Sequence, residues 1–242
     1  MSPNFIIKMC RGSIFTSTIT YNPDTWEKFQ SIFPGYMPVT HAPSTIDFQG
    51  NTIQIGNQMW TLSSKKDKID INFLDGKIDV LLQECNLTYS KENINSLCYK
   101  IEDIFSKIVD TLGLISNRLA FAPLLINNER SNESIVFARR IFGNRKFKGE
   151  QIDNCDFSNV FRIKETLSET EIIVNHLVNF ALVQTPYIIN GNLATNNILQ
   201  VNLDINTLGG KQYLFSRNEV KEFYKEVPQW TIDFIESYFN KD

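Results

Sequence analysis

Apolar and polar positions along the chain lay out one order of elements twice. A block of alternating, strand-like segments precedes a long amphipathic helix, first ending near Gly113 and then again in the last residues. Residues 5–21, rich in Ile, Thr and Phe, predict one long strand or two bent ones, with Arg11-Gly12 placed for a bulge. Asn22-Pro23-Asp24 predicts a helix start, Asn as the cap and Pro at the first helical position. Trp26, Phe29 and Phe33 recur at helical spacing, and Pro34-Gly35 ends the run. Residues 36–50 carry little periodicity and predict a loop.

Residues 52–55 and 59–63 predict strands. Ile69, Ile71 and Phe73 then alternate with Asp70 and Asn72, and Ile78, Val80 and Leu82 with Asp79 and Leu81. Asp75-Gly76 between them suits a tight type I′ hairpin turn, where both residues take positive φ. Ser90 is placed to cap the first long helix. Its apolar stripe is Ile94, Leu97, Ile101, Ile104, Phe105, Ile108 and Leu112, and Gly113 stands where a left-handed cap belongs. Residues 115–127 predict a returning strand, broken or set at a sheet edge by Pro123.

Residues 127–156 are polar and weakly patterned, so the chain divides into residues 1–127, a basic connector at 128–156, and residues 157–242. The second block predicts strands at 159–166, 171–184 and 196–206, with loops at 186–195 and 208–211. Ser216-Arg217-Asn218-Glu219 is a capping box for the last helix, which Pro228 is expected to kink or divide. The expected fold is α+β: two similar halves, each an antiparallel sheet packed against one long helix.

Composition changes this picture little. Of 242 residues, 42% are apolar and 21% charged, the balance of an ordinary globular chain and not of a disordered one. A net charge of -3 and a pI near 5.5 offer no globally basic face for nucleic acid. No apolar run approaches the ~18 residues of a membrane span, and the apolar stretch at residues 5–7 lacks signal-peptide features. A cytoplasmic protein is the expectation. Cys10, Cys85, Cys98 and Cys155 are scattered, without C-x-x-C or zinc-ligand spacing, and read as reduced thiols.

The chemistry on offer is sparse. Arg139, Arg140, Arg145, Lys146 and Lys148 form a run of bases without an acid, with Phe142 and Phe147 interleaved. Such bases neutralise phosphates while exposed rings stack on nucleobases, which suits RNA or single-stranded DNA. A solvated hairpin with both phenylalanines turned to the core explains the run more simply, since the rest of the chain is acidic and offers no second basic segment. The run suits a grip on an acidic protein as well as one on nucleic acid. His176, flanked by Val174 and Val178 on one strand face, reads as a satisfied, partly buried imidazole. His41 sits in the expected loop without an acid or cysteine nearby to orient it. Asp70, Asp79 and Asp204 lie on polar strand faces. A metal-dependent hydrolase would need them to converge on a cation, and solvated faces account for them more simply. Leu208-Gly209-Gly210-Lys211 lacks the context of a P-loop and reads as a turn. No motif calls for a cofactor or metal.

Several segments together resemble a sporadically distributed family of uncharacterised bacterial proteins. They are the Trp60-Thr61-Leu62 strand followed by residues 67–73, and the helix 94–112 leading to Arg118. Val201-Asn202-Leu203-Asp204 and the final helix with Phe223 and Phe234 complete the likeness. Asn117-Arg118-Leu119-Ala120-Phe121 departs from the family's Arg-Tyr-Ile-Asn-like stretch, and its proline-rich opening is missing. The resemblance implies an accessory protein of a mobile or defence-related locus, and it assigns no catalytic residues. The expected function is a non-enzymatic binding or regulatory subunit that contacts another protein of the same system through a groove between the halves. The alternative is an RNA-binding or RNA-processing protein with two ferredoxin-like lobes.

Overall fold

The computed structural model describes residues 4–41, 44–48, 51–55, 59–127, 155–189, 192–209 and 213–239. Its strands are β1 (Phe5–Phe15), β2 (Met37–His41), β3 (Ser44–Phe48), β4 (Asn51–Ile55), β5 (Met59–Ser64), β6 (Ile69–Leu74), β7 (Lys77–Leu82), β8 (Leu87–Thr88), β9 (Arg118–Asn127), β10 (Cys155–Leu167), β11 (Thr170–Ile189) and β12 (Asn192–Thr207). The helices are α1 (Pro23–Ile32), α2 (Lys91–Leu112) and α3 (Arg217–Phe239). None is long and apolar enough to cross a membrane among the described residues.

The α+β class holds, but the strands of the two blocks join. One ten-stranded antiparallel sheet runs β10-β11-β12-β9-β1-β7-β6-β5-β2, with β8 beside β1, while β3 and β4 form a separate hairpin. The seam is the pairing of β9 with β12, so the expected pair of separate sheets is replaced by one. An unpaired strand edge leaves backbone donors and acceptors open, and joining the blocks satisfies them on both sides. Two ferredoxin-like lobes would each need a sheet of their own.

Local signals account for the elements. Asn22 Oδ1 accepts from Thr25 N at 2.8 Å, and Ser90 Oγ accepts from Asn93 N at 3.2 Å. Gly113, at φ +62°, closes α2 by donating to Val109 O. The capping box forms: Ser216 N donates to Glu219 Oε2 at 2.8 Å, and Asn218 N to Ser216 Oγ at 3.3 Å. Pro228 lies inside α3 and does not divide it.

Other expectations change. β2 and β3 fall in the expected 36–50 loop, because a short exposed edge strand and a hairpin need little hydrophobic alternation. The expected loop at 186–195 is the tip of the β11–β12 hairpin, whose pairing runs out to Ile189 and Asn192. Pro123 sits in central β9 and not at an edge. Pairing of β9 with β12 lapses between Leu124 and Phe121, so the missing proline N–H falls where the ladder is interrupted. The bulge in β1 is at Lys8, between the Ile7 and Met9 pairs, and not at Arg11-Gly12.

Both long helices lie on the same face of the sheet. A Cβ on Gly12 would stand 2.3 Å from Ile101 Cγ2 of α2 and 2.9 Å from Tyr224 Oη of α3. Lys91 bonds Gln229 at 2.5 Å, and Arg217 pairs with Asp110 at 3.2 Å, so α2 and α3 run antiparallel. α1 covers the far end, where Phe29 packs on Phe73 (5.2 Å between centroids) and Trp60 stacks on Phe73 at 3.8 Å. Buried apolar residues of both blocks form one cluster from Phe5 to Ile235.

Candidate functional site

The antiparallel pair α2–α3 leaves a groove on its outer side. Lys91, Asn95, Tyr99 and Glu102 lie three or four residues apart on α2, forming one wall beside the buried stripe. Lys221, Lys225 and Gln229 repeat that spacing on α3, with Glu226 alongside. The cavity measures about 570 Å³. Its floor is Tyr224, whose ring lies 5.5 Å from Phe105 and whose hydroxyl donates to Ala120 O at 2.9 Å. Burial holds that phenol far above its ordinary pKa, so it stays protonated. At the rim Tyr99 is 71% exposed. Lys91 bridges to Gln229 at one end, and Glu102 accepts from Ser106 at 2.6 Å. Among the described residues, the lining holds no histidine or cysteine. It offers an aromatic wall, lysine stems with cationic tips and two carboxylates, a surface for holding a segment of another molecule.

On the face away from the helices, the register builds a polar row across the sheet. Thr61 stands opposite Asn72, Asn72 opposite Asp79, Asp79 opposite Ser13, and Ser13 opposite Ala120. Ala120 in turn faces Asn206, Asn206 faces Asn175, and Asn175 faces Arg162. Hydrogen bonds tie the row in two sections. Thr61 Oγ1 donates to Asn72 Oδ1 at 2.8 Å; Ser13 Oγ donates to Asp79 Oδ1 at 2.5 Å, and Lys77 pairs with Asp79 Oδ2 at 2.8 Å. Further along, Asn206 Oδ1 accepts from Arg118 Nη2 at 2.9 Å and Asn175 Nδ2 at 3.0 Å, while Asn206 Nδ2 donates to Asp204 Oδ1 at 2.8 Å. Arg118 also lies over the Phe15 ring at 4.8 Å.

The titratable candidates distribute over these faces. His41 is exposed on β2, with Nε2 3.1 Å from Thr61 Oγ1, at the end of the polar row. Asp70 accepts from Ser63 at 2.6 Å and from Gln83. Asp79 and Asp204 are on one face but three strand spacings apart, about 14 Å. Among the described residues no three His, Cys, Asp or Glu side chains are grouped to hold a metal. His176 faces the helices, as its neighbours implied, but it is not satisfied. At 2% exposure, neither ring nitrogen has a hydrogen-bond partner among the described residues. Phe234 packs against the ring, and burial pushes its pKa down to about 4. The basic run Arg139, Arg140, Phe142, Arg145, Lys146, Phe147 and Lys148 lies outside the described residues.

Sequence reading expected a groove between the halves but named none of its lining residues, and it missed the polar row. Outward positions of an amphipathic helix look alike until the helix beside them is known, and a row across a sheet exists only once register is set. Compared with known proteins, the chain matches no family model, and no curated protein matches it.

Proposed function

We propose that this chain is a non-enzymatic binding or regulatory subunit that acts by protein–protein contact, with the α2–α3 groove as its docking surface. The observation that carries this reading is the groove itself: about 570 Å³ between two helices, with Tyr99 standing 71% exposed at its rim above a fixed tyrosine floor. Exposed tyrosines beside an ordered floor give contact area at small entropic cost and recur among residues that dominate binding energy. Lysines on both walls against two glutamates favour a partner segment that combines an apolar anchor with acidic flanks. The family likeness adds the setting, a bacterial accessory system of the defence type, whose other component is the partner.

The test is recovery of the native partner on the wild-type chain and on Tyr99→Ala and Lys221→Glu, each checked for folding by circular dichroism. A stoichiometric partner should fall at least about tenfold with each variant, the size of a hot-spot loss. Undiminished recovery would overturn the reading. Salt-dependent RNA binding that disappears when Arg139, Arg140, Arg145, Lys146 and Lys148 are neutralised would replace it with the RNA alternative.

A further inference from the structure

Cys10 and Cys85 are 75 positions apart in the chain, and the sheet brings them together. Cys10 of β1 stands opposite Leu82, the last residue of β7. It shares its strand face with Gly12, which meets both long helices. Between the Leu82–Cys10 and Leu87–Ile7 pairs, residues 83–86 span a gap that β1 crosses with Lys8 and Met9 alone. Glu84 and Asn86 take up the excess, both at φ +49°, a left-handed conformation uncommon outside glycine. Cys85 between them is pinned to β1: its N–H donates to Lys8 O at 2.9 Å, and its Sγ lies 3.4 Å from Leu82 O. The Cys10 thiol and the Cys10 backbone N–H both donate to the Cys85 sulfur.

The two thiols are unequal. Cys10 is fully buried, and desolvation holds its pKa well above the ordinary thiol value. Cys85 is only partly buried. The hydrogen bonds from Cys10, helped by the positive field of Lys100 on α2, hold its pKa below that value. The thiolate is the reactive form of cysteine, and here it sits on the sulfur that solvent reaches. The proton stays on the sulfur that solvent does not reach. A buried thiol by itself is inert, but one in contact with a reactive neighbour is placed to act second.

We infer that Cys85 and Cys10 form a peroxide-reactive dithiol, in which Cys85 attacks and Cys10 resolves. The Cys85 thiolate attacks one oxygen of a hydroperoxide: an S–O bond forms and the O–O bond breaks. The other oxygen leaves as hydroxide or alkoxide and takes up the proton that Cys85 gave to solvent. The Cys10 sulfur then attacks the sulfenic sulfur of Cys85, forming the S–S bond as the S–O bond breaks. The departing hydroxide leaves as water with the Cys10 proton. The pair of cysteines is oxidised by two electrons and the peroxide is reduced by them, and an external thiol restores the dithiol. Neither cysteine lines the α2–α3 groove, so this chemistry stands whether or not the groove holds a partner.

The test adds hydrogen peroxide in a graded series to the folded, reduced chain and maps the products by mass spectrometry of unreduced peptides. Wild type and Cys98→Ser should both form an intramolecular Cys10–Cys85 disulfide that dithiothreitol reverses. Cys85→Ser should lose the reaction. In Cys10→Ala the sulfenic acid on Cys85 has no resolving thiol, so dimedone should label Cys85 there at least about tenfold more than in the wild type. Wild-type thiols that all stay free, at peroxide levels that oxidise the urea-unfolded chain, overturn the inference. So does a link through Cys98 or Cys155, or a Cys85 that passes to sulfinic acid without a disulfide. Equal dimedone labelling of wild type and Cys10→Ala removes the resolving role of Cys10. Circular dichroism checks that each variant is folded, and the wild-type map decides the matter without any of them.

Discussion

His176 shows what one residue contributes when its neighbours come from distant segments. It lies between β10 and α3, with Glu165 Oε1 4.0 Å from Nε2 and the Phe234 ring 5.3 Å away. With its folded pKa lowered to about 4, the ring is neutral in the native protein at neutral pH. An unfolded histidine titrates near 6.5, so below that pH the unfolded chain binds the extra proton and the native state loses stability. The loss accumulates as pH falls from about 6.5 to about 4 and reaches about 2 kcal/mol between pH ~7 and pH ~5. His176→Phe should remove that part of the acid sensitivity, whatever it does to stability at neutral pH. Urea unfolding at both pH values measures it; an equal acid loss in wild type and variant would refute the account. Alternation with Val174 and Val178 made the buried face legible. The lack of a hydrogen bond to the ring among the described residues was not, because Phe234 arrives from a helix 58 residues later.

At the scale of elements, the close approach of the helix pair to β1 depends on Gly12. An added Cβ would meet Ile101 Cγ2 at 2.3 Å, Tyr224 Oη at 2.9 Å and Phe105 Cε2 at 3.1 Å. Tyr224 has little room to yield, since its hydroxyl lies 2.9 Å from Ala120 O and 3.4 Å from Ser13 O. Gly12→Ala should therefore cost about 1–3 kcal/mol, the usual range for overpacking, and Gly12→Val more. A denaturant midpoint unchanged by alanine would show that the helices can move apart freely. Turns carry a different lesson. The Asp75-Gly76 hairpin forms, yet only Gly76 has positive φ, so the turn is not type I′. Among the described residues, a two-residue loop with both φ positive is Ser168-Glu169, at 47° and 65°, where no glycine marks it. Ser168 bonds Glu222 of α3, a tertiary contact that supports an unfavourable local conformation.

For the whole molecule, the joined sheet and shared core predict one cooperative unit. Trp26 and Trp60 report on the first block, Trp230 on α3. Variants that retain one tryptophan each should unfold in urea at the same midpoint, coincident with far-ultraviolet circular dichroism. Separate midpoints for Trp60 and Trp230 would mean that the β9–β12 seam does not couple the blocks. Arg118 and Asn206, hydrogen-bonded across that seam, are 88 residues apart in the chain.

What the sequence determined by itself was local. Helix extents, the caps at Asn22, Ser90 and Ser216, the Gly113 stop, most strands and the α+β class follow from a period of 2 or 3.6 and from the chemistry of a few flanking residues. Only the tertiary structure decided that the blocks share one sheet and that α2 and α3 lie side by side on it. The groove between those helices and the polar row from Thr61 to Arg162 are consequences of that arrangement. Periodicity tells each segment which face to bury, but not which distant edge will satisfy its open backbone groups.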